Sequence, residues 1–144
     1  MPELTACTKF CMNYSVVHTR ISKKLDIHLS AHGINFSEFM ILFHLDQAIE
    51  KKMRRIDLAE KIGLSASGIT RLVTPMEKIG LVHKETNQRD ARVSLVKISS
   101  CGERILQEST ISLNAASQEI LSELNESSLS KMLNTLMILG GNIQ

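Results

Sequence analysis

Residues 57–81 read Asp57-Leu-Ala-Glu-Lys-Ile-Gly-Leu-Ser65-Ala-Ser-Gly-Ile-Thr-Arg-Leu-Val-Thr-Pro-Met-Glu-Lys-Ile-Gly-Leu81, and two helical patterns meet in them at a glycine. Leu58, Ala59 and Ile62 recur at helical spacing, and Gly63 suits the left-handed position just past a helix end. Ser65 then offers its hydroxyl to the first free amides of a second helix, which is expected to bury Ile69, Leu72, Val73, Met76 and Ile79. Gly80 stops it. Two short helices joined by a three- or four-residue turn containing glycine form a helix-turn-helix. Downstream, Val82 to Glu85 and Arg92 to Ile98 alternate apolar and polar residues, as half-buried strands do, around the polar tip Asn87-Gln-Arg-Asp-Ala91. The order predicts a winged helix-turn-helix.

Working outward on the N-terminal side, Asn35-Phe-Ser-Glu38 fits a capping box, and Phe36 to Leu45 are apolar on nearly every side, as a core helix requires. Glu50 to Arg55 reads as a basic linker. Leu4 to His32 contains neither Pro nor Gly. Leu4, Cys7, Cys11, Tyr14, His18, Ile21, Leu25 and His28 fall at steps of three and four, close to a coiled-coil seam. A helix of that length reaches ~40 Å, more than one small domain easily covers, so its stripe is expected to face another chain. Gly33 ends it.

On the C-terminal side, Ser99 or Ser100 is expected to cap a long helix with Glu103 completing a box. Ile105, Leu106, Ile111, Leu113, Ile120, Leu121 and Leu124 supply its apolar positions. A last helix is expected from Ser127 or Ser128 through Leu129, Met132, Leu133, Leu136 and Leu139 to Gly140-Gly141. The expected fold is mostly α with a small β-hairpin wing (α+β). Residues 1–144 are expected to form one domain, with the winged module over 35–99 flanked by long helices over 1–34 and 100–144.

Composition narrows the function. The formal charge is only +2, but residues 51–104 carry 12 Lys/Arg against 6 Asp/Glu, whereas the flanks carry 5 against 9. A basic centre between acidic arms suits a polyanion-binding module attached to something else. Three cysteines without framework spacing argue against a secreted disulfide scaffold. No basic segment precedes an apolar core at the N-terminus, and no apolar run approaches the ~20 residues that span a bilayer. A cytoplasmic protein without a membrane partner is expected. An enzyme has little support, because there is no phosphate-binding glycine loop, nucleophile motif or credible Cys–His pairing outside the helical seam. His28 and His32 lie one turn apart near a helix end without further ligand spacing, so neither metal nor cofactor is expected.

The order of elements resembles the MarR family of dimeric bacterial transcription regulators. The likeness is most specific in Leu58-Ala-Glu-Lys-Ile-Gly-Leu-Ser65, Thr70-Arg-Leu-Val, Met76-Glu-Lys-Ile-Gly-Leu-Val82, and Arg89-Asp-Ala-Arg92 followed by Leu95-Val-Lys-Ile-Ser99. The resemblance implies a homodimer joined by its terminal helices, each copy placing a recognition helix in a major groove and a wing in the adjacent minor groove of operator DNA. It implies a regulator, a repressor by preference, released by a small ligand or by thiol oxidation. Four positions depart from the family pattern. Arg54 stands where Thr or Ser often begins the first helix of the motif, giving up a cap and gaining a phosphate-seeking charge. Asn87 and Ala91 stand where the wing often carries Asp and a basic residue. Pro75 lies inside the recognition helix, where it removes a backbone bond and favours a kink.

The candidate DNA-binding residues are Arg54, Ser65, Ser67, Gly68, Thr70, Arg71, Arg89 and Arg92. Short polar side chains and a glycine let a helix end approach phosphates and base edges. Arg71 can serve guanine or phosphate, and the arginines of the tip can enter a narrow minor groove. Asp90 is expected to orient one of these arginines or to brace the recognition helix. The sensor candidates are Cys11, Tyr14 and His18 on one helical face. The resemblance puts Cys11 near the reactive cysteine of a thiol-sensing branch, while Leu25 and Phe36 lack the hydroxyls that assist it. The alternative reading is a small-residue dimer seam. A small aromatic or lipophilic effector, lying between arms and module, is the other expected partner. A winged-helix protein-interaction module without DNA binding is the competing function.

Overall fold

A computed structural model describes all 144 residues. Helix α1 (Ala6–Leu29) starts where Thr5 Oγ1 accepts the Thr8 amide at 3.1 Å, and a 3₁₀ turn at Ser30–His32 leads to Gly33 at φ +74°. The capping box opens α2 (Phe36–Gln47): Asn35 Oδ1 accepts the Glu38 amide at 2.8 Å and Glu38 Oε2 accepts the Asn35 amide at 3.0 Å. Asp26 of α1 accepts the Phe36 amide at 2.7 Å, so one carboxylate fixes the corner between the two helices. Phe39, Ile41, Leu42 and Leu45 of α2 are buried, and the other elements assemble around them.

The expected basic linker is a strand. After a 3₁₀ turn at Ile49–Lys51, β1 (Lys52–Arg54) pairs antiparallel with β3 (Ser94–Ile98), which pairs with β2 (Val82–Thr86), giving the order β1-β3-β2. Pairing Met53 with Val96 and Val82 with Ile98 puts these four toward the core. The same register puts Lys52, Lys97 and His83 in one row on the outer face, as the two-residue period of a strand requires. A three-residue strand with one inward side chain leaves almost no hydropathy signal. Glu50 and Lys51 adopt φ +55° and +57°, a conformation costing about 1–3 kcal/mol per residue, in the turn before β1. Lys51 Nζ anchors the turn, reaching Asp46 at 3.0 Å and Glu103 at 2.7 Å.

Helix α3 (Arg55–Ile62) ends at Gly63 at φ +78°, and α4 (Ala66–Lys78) begins at Ser65, whose Oγ accepts the Gly68 amide at 3.1 Å. Ile69, Val73 and Met76 are buried and Leu72 is partly so, but Ile79 is 62% exposed at the helix end, contrary to its expected burial. Helix α4 runs unbroken through Pro75, which lies on the exposed side.

Helix α5 (Ser100–Ile120) is capped by Ser99, which accepts the Gly102 amide at 3.0 Å. The expected box does not form: Gly102 occupies its third position, and Glu103 is taken by Lys51. The buried positions of α5 are Gly102, Leu106, Ser109 and Ala116, whereas Ile111 is exposed. Small residues bring α5 close to its neighbours, which a search for large apolar residues does not detect. Helix α6 (Glu126–Ile138) is capped by Asn125, not by Ser127 or Ser128, and none of its residues is buried. In α1 only Leu25 and Leu29 are buried, and every residue from Ala6 to Arg20 is exposed. The stripe therefore divides, its lower end packing within the chain and its upper end remaining open alongside an equally open α6.

Candidate nucleic-acid interface

With Ile69, Val73 and Met76 turned inward, α4 presents Ser67, Thr70, Arg71 and Thr74 outward, at the i, i+3, i+4, i+7 spacing of one helical face. The hydroxyls are not equivalent. Ser65 Oγ caps the helix and lies 3.1 Å from Ser67 Oγ, and Thr70 Oγ1 donates to the Ala66 carbonyl at 3.2 Å. Gly68 has the Ser65 hydroxyl 3.3 Å from where a Cβ would stand, so a side chain there would crowd the cap. Arg71 is exposed and forms neither an ion pair nor a hydrogen bond within the chain. Thr74 on the same face was missed by sequence reasoning, although its spacing from Arg71 and Ser67 signals it.

The wing tip is ordered by its own acidic and amide groups. Asn87 Oδ1 accepts the Arg89 amide at 2.9 Å. Asp90 accepts the Arg92 amide at 3.0 Å and the Arg92 side chain at 3.1 Å (Nε) and 3.3 Å (Nη2). Of the two roles open to Asp90, it takes the orientation of an arginine, and Arg92 precedes β3 instead of opening it. The guanidinium of Arg92 holds the Asp90 carboxyl below its usual pKa. Arg92 is 90% exposed, so this pair aims the side chain without burying it. Arg89 carries no carboxylate partner.

Arg54 takes the N-cap position of α3 without a side-chain cap, and its charge is not free. Nε lies 2.8 Å from Asp57 Oδ2 and Nη2 lies 3.1 Å from Asp57 Oδ1, a bidentate pair that raises the guanidinium pKa further. The expected phosphate-seeking role therefore needs this pair to be shared or broken. Arg55, which the sequence does not single out, reaches Glu77 at 3.0 Å; the side chains are only 20% and 22% exposed, and they join the first turn of α3 to the last of α4. A separation of 22 residues leaves no local pattern to reveal it. Among the 12 cations of residues 51–104, Lys61, Arg71, Lys78, Lys84, Arg89 and Lys97 have no carboxylate within ion-pair distance.

The three sensor candidates lie on α1, away from α4 and the wing tip. Phe10, Tyr14 and His18 stack in a ladder with centroids 6.2 Å apart, and Cys11 is exposed. Tyr14 borders a crevice of about 490 Å³ between α1, α6 and the winged module, with Phe10, Met40, Ile62, Leu136 and Leu139. Cys11 and His18 are not in its wall. Beyond α6, Asn142 Nδ2 donates to the Lys61 carbonyl at 3.0 Å, closing one end of this crevice.

Residues 34–94 match the model of the MarR family. The winged module is a MarR-family domain. The chain is similar to the HTH-type transcriptional regulator PapX of Escherichia coli, 27% identical over 109 residues, or 73% of this chain and 66% of that protein. It spans 56–66% of the length of the E. coli regulators it matches. The fold is similar to Sco3205, a MarR-family regulator of Streptomyces coelicolor solved with DNA, at TM-score 0.84 and 20% identity over 96% of this chain and 89% of that one. It is also similar to CouR of Rhodococcus jostii RHA1 bound to p-coumaroyl-CoA, at TM-score 0.81 and 19% identity over 99% and 100% of the two chains. The MarR-family match stops at residue 94, short of α5 and α6.

Proposed function

We propose that this protein is a sequence-specific, DNA-binding transcription regulator that acts as a homodimer and represses by occupying an operator. The observation that carries the reading is the outward face of α4: short hydroxyl side chains, a glycine at the helix start, and an arginine with no partner in its own chain. The recognition helix enters a major groove through Ser65, Ser67, Gly68, Thr70 and Arg71. Arg89 and Arg92 reach the adjacent minor groove, and Arg54 meets a backbone phosphate in exchange with Asp57. Residues 35–99 form the reading module, and residues 1–34 and 100–144 pair the two copies. Support for pairing comes from α1 and α6, which expose Phe10, Tyr14, Val17, Met132, Leu133 and Leu136, apolar side chains of the kind that mark an interaction surface when they cluster.

Release is assigned to the arms, through an aromatic or lipophilic ligand in the crevice bordered by Tyr14 or through oxidation of the exposed Cys11 thiol. A ligand there favours one spacing of the two recognition helices over another, which is the differential affinity that coupling requires. The deciding experiment is selection of bound genomic DNA by the purified protein, followed by titration of the selected site and of random duplex over a range of salt. Specific binding by a dimer with a steep salt dependence is expected. Failure to retain any duplex at low salt would leave the protein-interaction module as the function. For release, hydroperoxide is expected to free DNA from the wild type and not from Cys11→Ser; equal release from both removes thiol control.

A further inference from the structure

Two helix ends that the local sequence leaves weak meet in the helix-turn-helix. α3 begins at Arg54 without a side-chain hydrogen bond to its first amides, which are orphan donors at any helix start. α4 carries Pro75 one turn before its end. Proline has no N–H, so the Arg71 carbonyl loses its donor within the helix, and the ring disfavours helical backbone at Thr74. In a helix interior this is equivalent to roughly a hundredfold in the local equilibrium. The turn nevertheless forms. The amides of Ile79, Gly80 and Leu81 bond to the carbonyls of Pro75, Glu77 and Met76 at 3.2, 3.1 and 2.9 Å.

Two side chains hold this turn from outside the helix. Met76 is fully buried, and Glu77 Oε1 accepts from Arg55 Nη2 at 3.0 Å in the least exposed ion pair of the chain. Nη1 of Arg55 is buried without an acceptor, so Glu77 is the one carboxylate that answers this charge. Arg55 sits in the first turn of α3, whereas the chain joins the two helices through Gly63-Leu64-Ser65 at the opposite end. The last turn of α4 also leads into the wing, since the Leu81 carbonyl accepts the Ser99 amide at 3.0 Å one residue before β2. We infer that Arg55 and Glu77 are positioning residues of α4: their pair offsets Pro75, closes the open end of the helix-turn-helix and fixes the angle between α4 and the wing. A pair largely withdrawn from water is screened little by salt, which suits a brace more than a surface charge. The effect on DNA rests on the proposed reading of α4; the bracing itself does not.

The test is a double-mutant cycle in the full chain between Glu77→Gln and Pro75→Ala, read in two ways. Amide exchange followed by NMR reports the last turn of α4 at Ile79 and Gly80, whatever the protein binds. Fluorescence anisotropy at matched salt reports affinity for the selected operator and for a random duplex. With Pro75 present, Glu77→Gln is expected to speed exchange at both amides about tenfold or more, as loss of a charged hydrogen bond predicts. Operator binding should weaken at least about fivefold. Random duplex should bind no more weakly, because removing a carboxylate favours a polyanion, whereas a general loss of folded protein lowers both affinities alike. In the Pro75→Ala background both effects should shrink to within about twofold. Equal effects in the two backgrounds, unchanged exchange at Ile79 and Gly80, or parallel loss of both duplexes overturns the proposal. If Glu77→Gln does not fold, Arg55→Lys, which keeps the charge and loses the planar fork, takes its place in the cycle. Should the wild type retain no duplex, the reading of α4 fails and the exchange cycle alone decides the brace.

Discussion

Replacing Arg71 by Ala isolates the proposed reading function from the fold. The side chain is exposed and holds no partner, so its removal breaks no internal contact of the charged group, and stability should stay within about 0.5 kcal/mol of wild type. On DNA the loss depends on what the guanidinium meets. A bidentate contact with guanine is worth about 1–3 kcal/mol, or roughly 5- to 150-fold in affinity per recognition helix, with relaxed preference at that base. A phosphate contact instead weakens all sequences nearly equally and lowers the slope of log affinity against log salt by about 1. Fluorescence anisotropy with the selected operator and a random duplex, at three salt concentrations, separates these outcomes. The thermal midpoint, measured alongside, should not move. Affinities for both duplexes within about twofold of wild type, with an unchanged salt slope, would refute the assignment of α4 as the reading helix.

Under the proposed wing contact, Arg92→Ala should cost more than a lost contact, because it also leaves the Asp90 carboxylate without its counter-charge. Most operator binding is expected to disappear while the dimer persists in gel filtration, and Asp90→Asn added to it should restore part of the loss. An unchanged gel-shift midpoint at matched salt removes the wing from the interface. Gly102→Ala tests the close approach of α5 to the module: an added Cβ would collide with the Leu81 carbonyl oxygen and lie 2.8 Å from Ile98 Cγ1 and 3.2 Å from Leu42. Overpacking of this kind costs about 1–3 kcal/mol, a fall of roughly 2–12 °C in thermal midpoint for a chain of this size. An unaltered midpoint means the helix stands further off. Stability should also decline as pH falls from the ordinary histidine value of 6.5, because unfolded His44 takes up a proton that the native, pKa-lowered imidazole refuses. Denaturant melts between pH 7 and pH 5 should show a shallower decline for His44→Gln, and parallel curves would count against a buried neutral His44.

The legibility of the chain follows the range of the interactions involved. The helix-turn-helix was readable because each of its signals is local: Gly63 must take a positive φ, Ser65 must cap within three residues, and Ile69, Val73 and Met76 share one face by helical period alone. The capping box at Asn35 is equally local, and the two longer strands announced themselves by alternation. Local spacing likewise put Ser67, Thr70 and Arg71 on one surface. Residue type alone marked Arg89 and Arg92 as candidates at the tip.

Tertiary structure decided what residue type and spacing leave open. Whether a charge is free depends on neighbours distant in sequence or on side-chain direction, so Arg54 is tied to Asp57, Arg55 to Glu77 and Lys51 to Glu103, while Arg71 stands alone. The strand at Lys52–Arg54 exists because β3 offers it an edge, not because three mostly charged residues favour extension. Burial of Gly102, Ser109 and Ala116 in place of larger residues on α5 is set by how closely α5 must approach its neighbours. The meeting of the uncapped start of α3 with the turn beyond Pro75 joins two elements and has no one-dimensional trace. Sequence by itself therefore determined the helix-turn-helix, whose physics is contained in single turns of chain. Only the folded chain determined which cations remain available and where its cavities lie, because both depend on distances between segments that the sequence keeps apart.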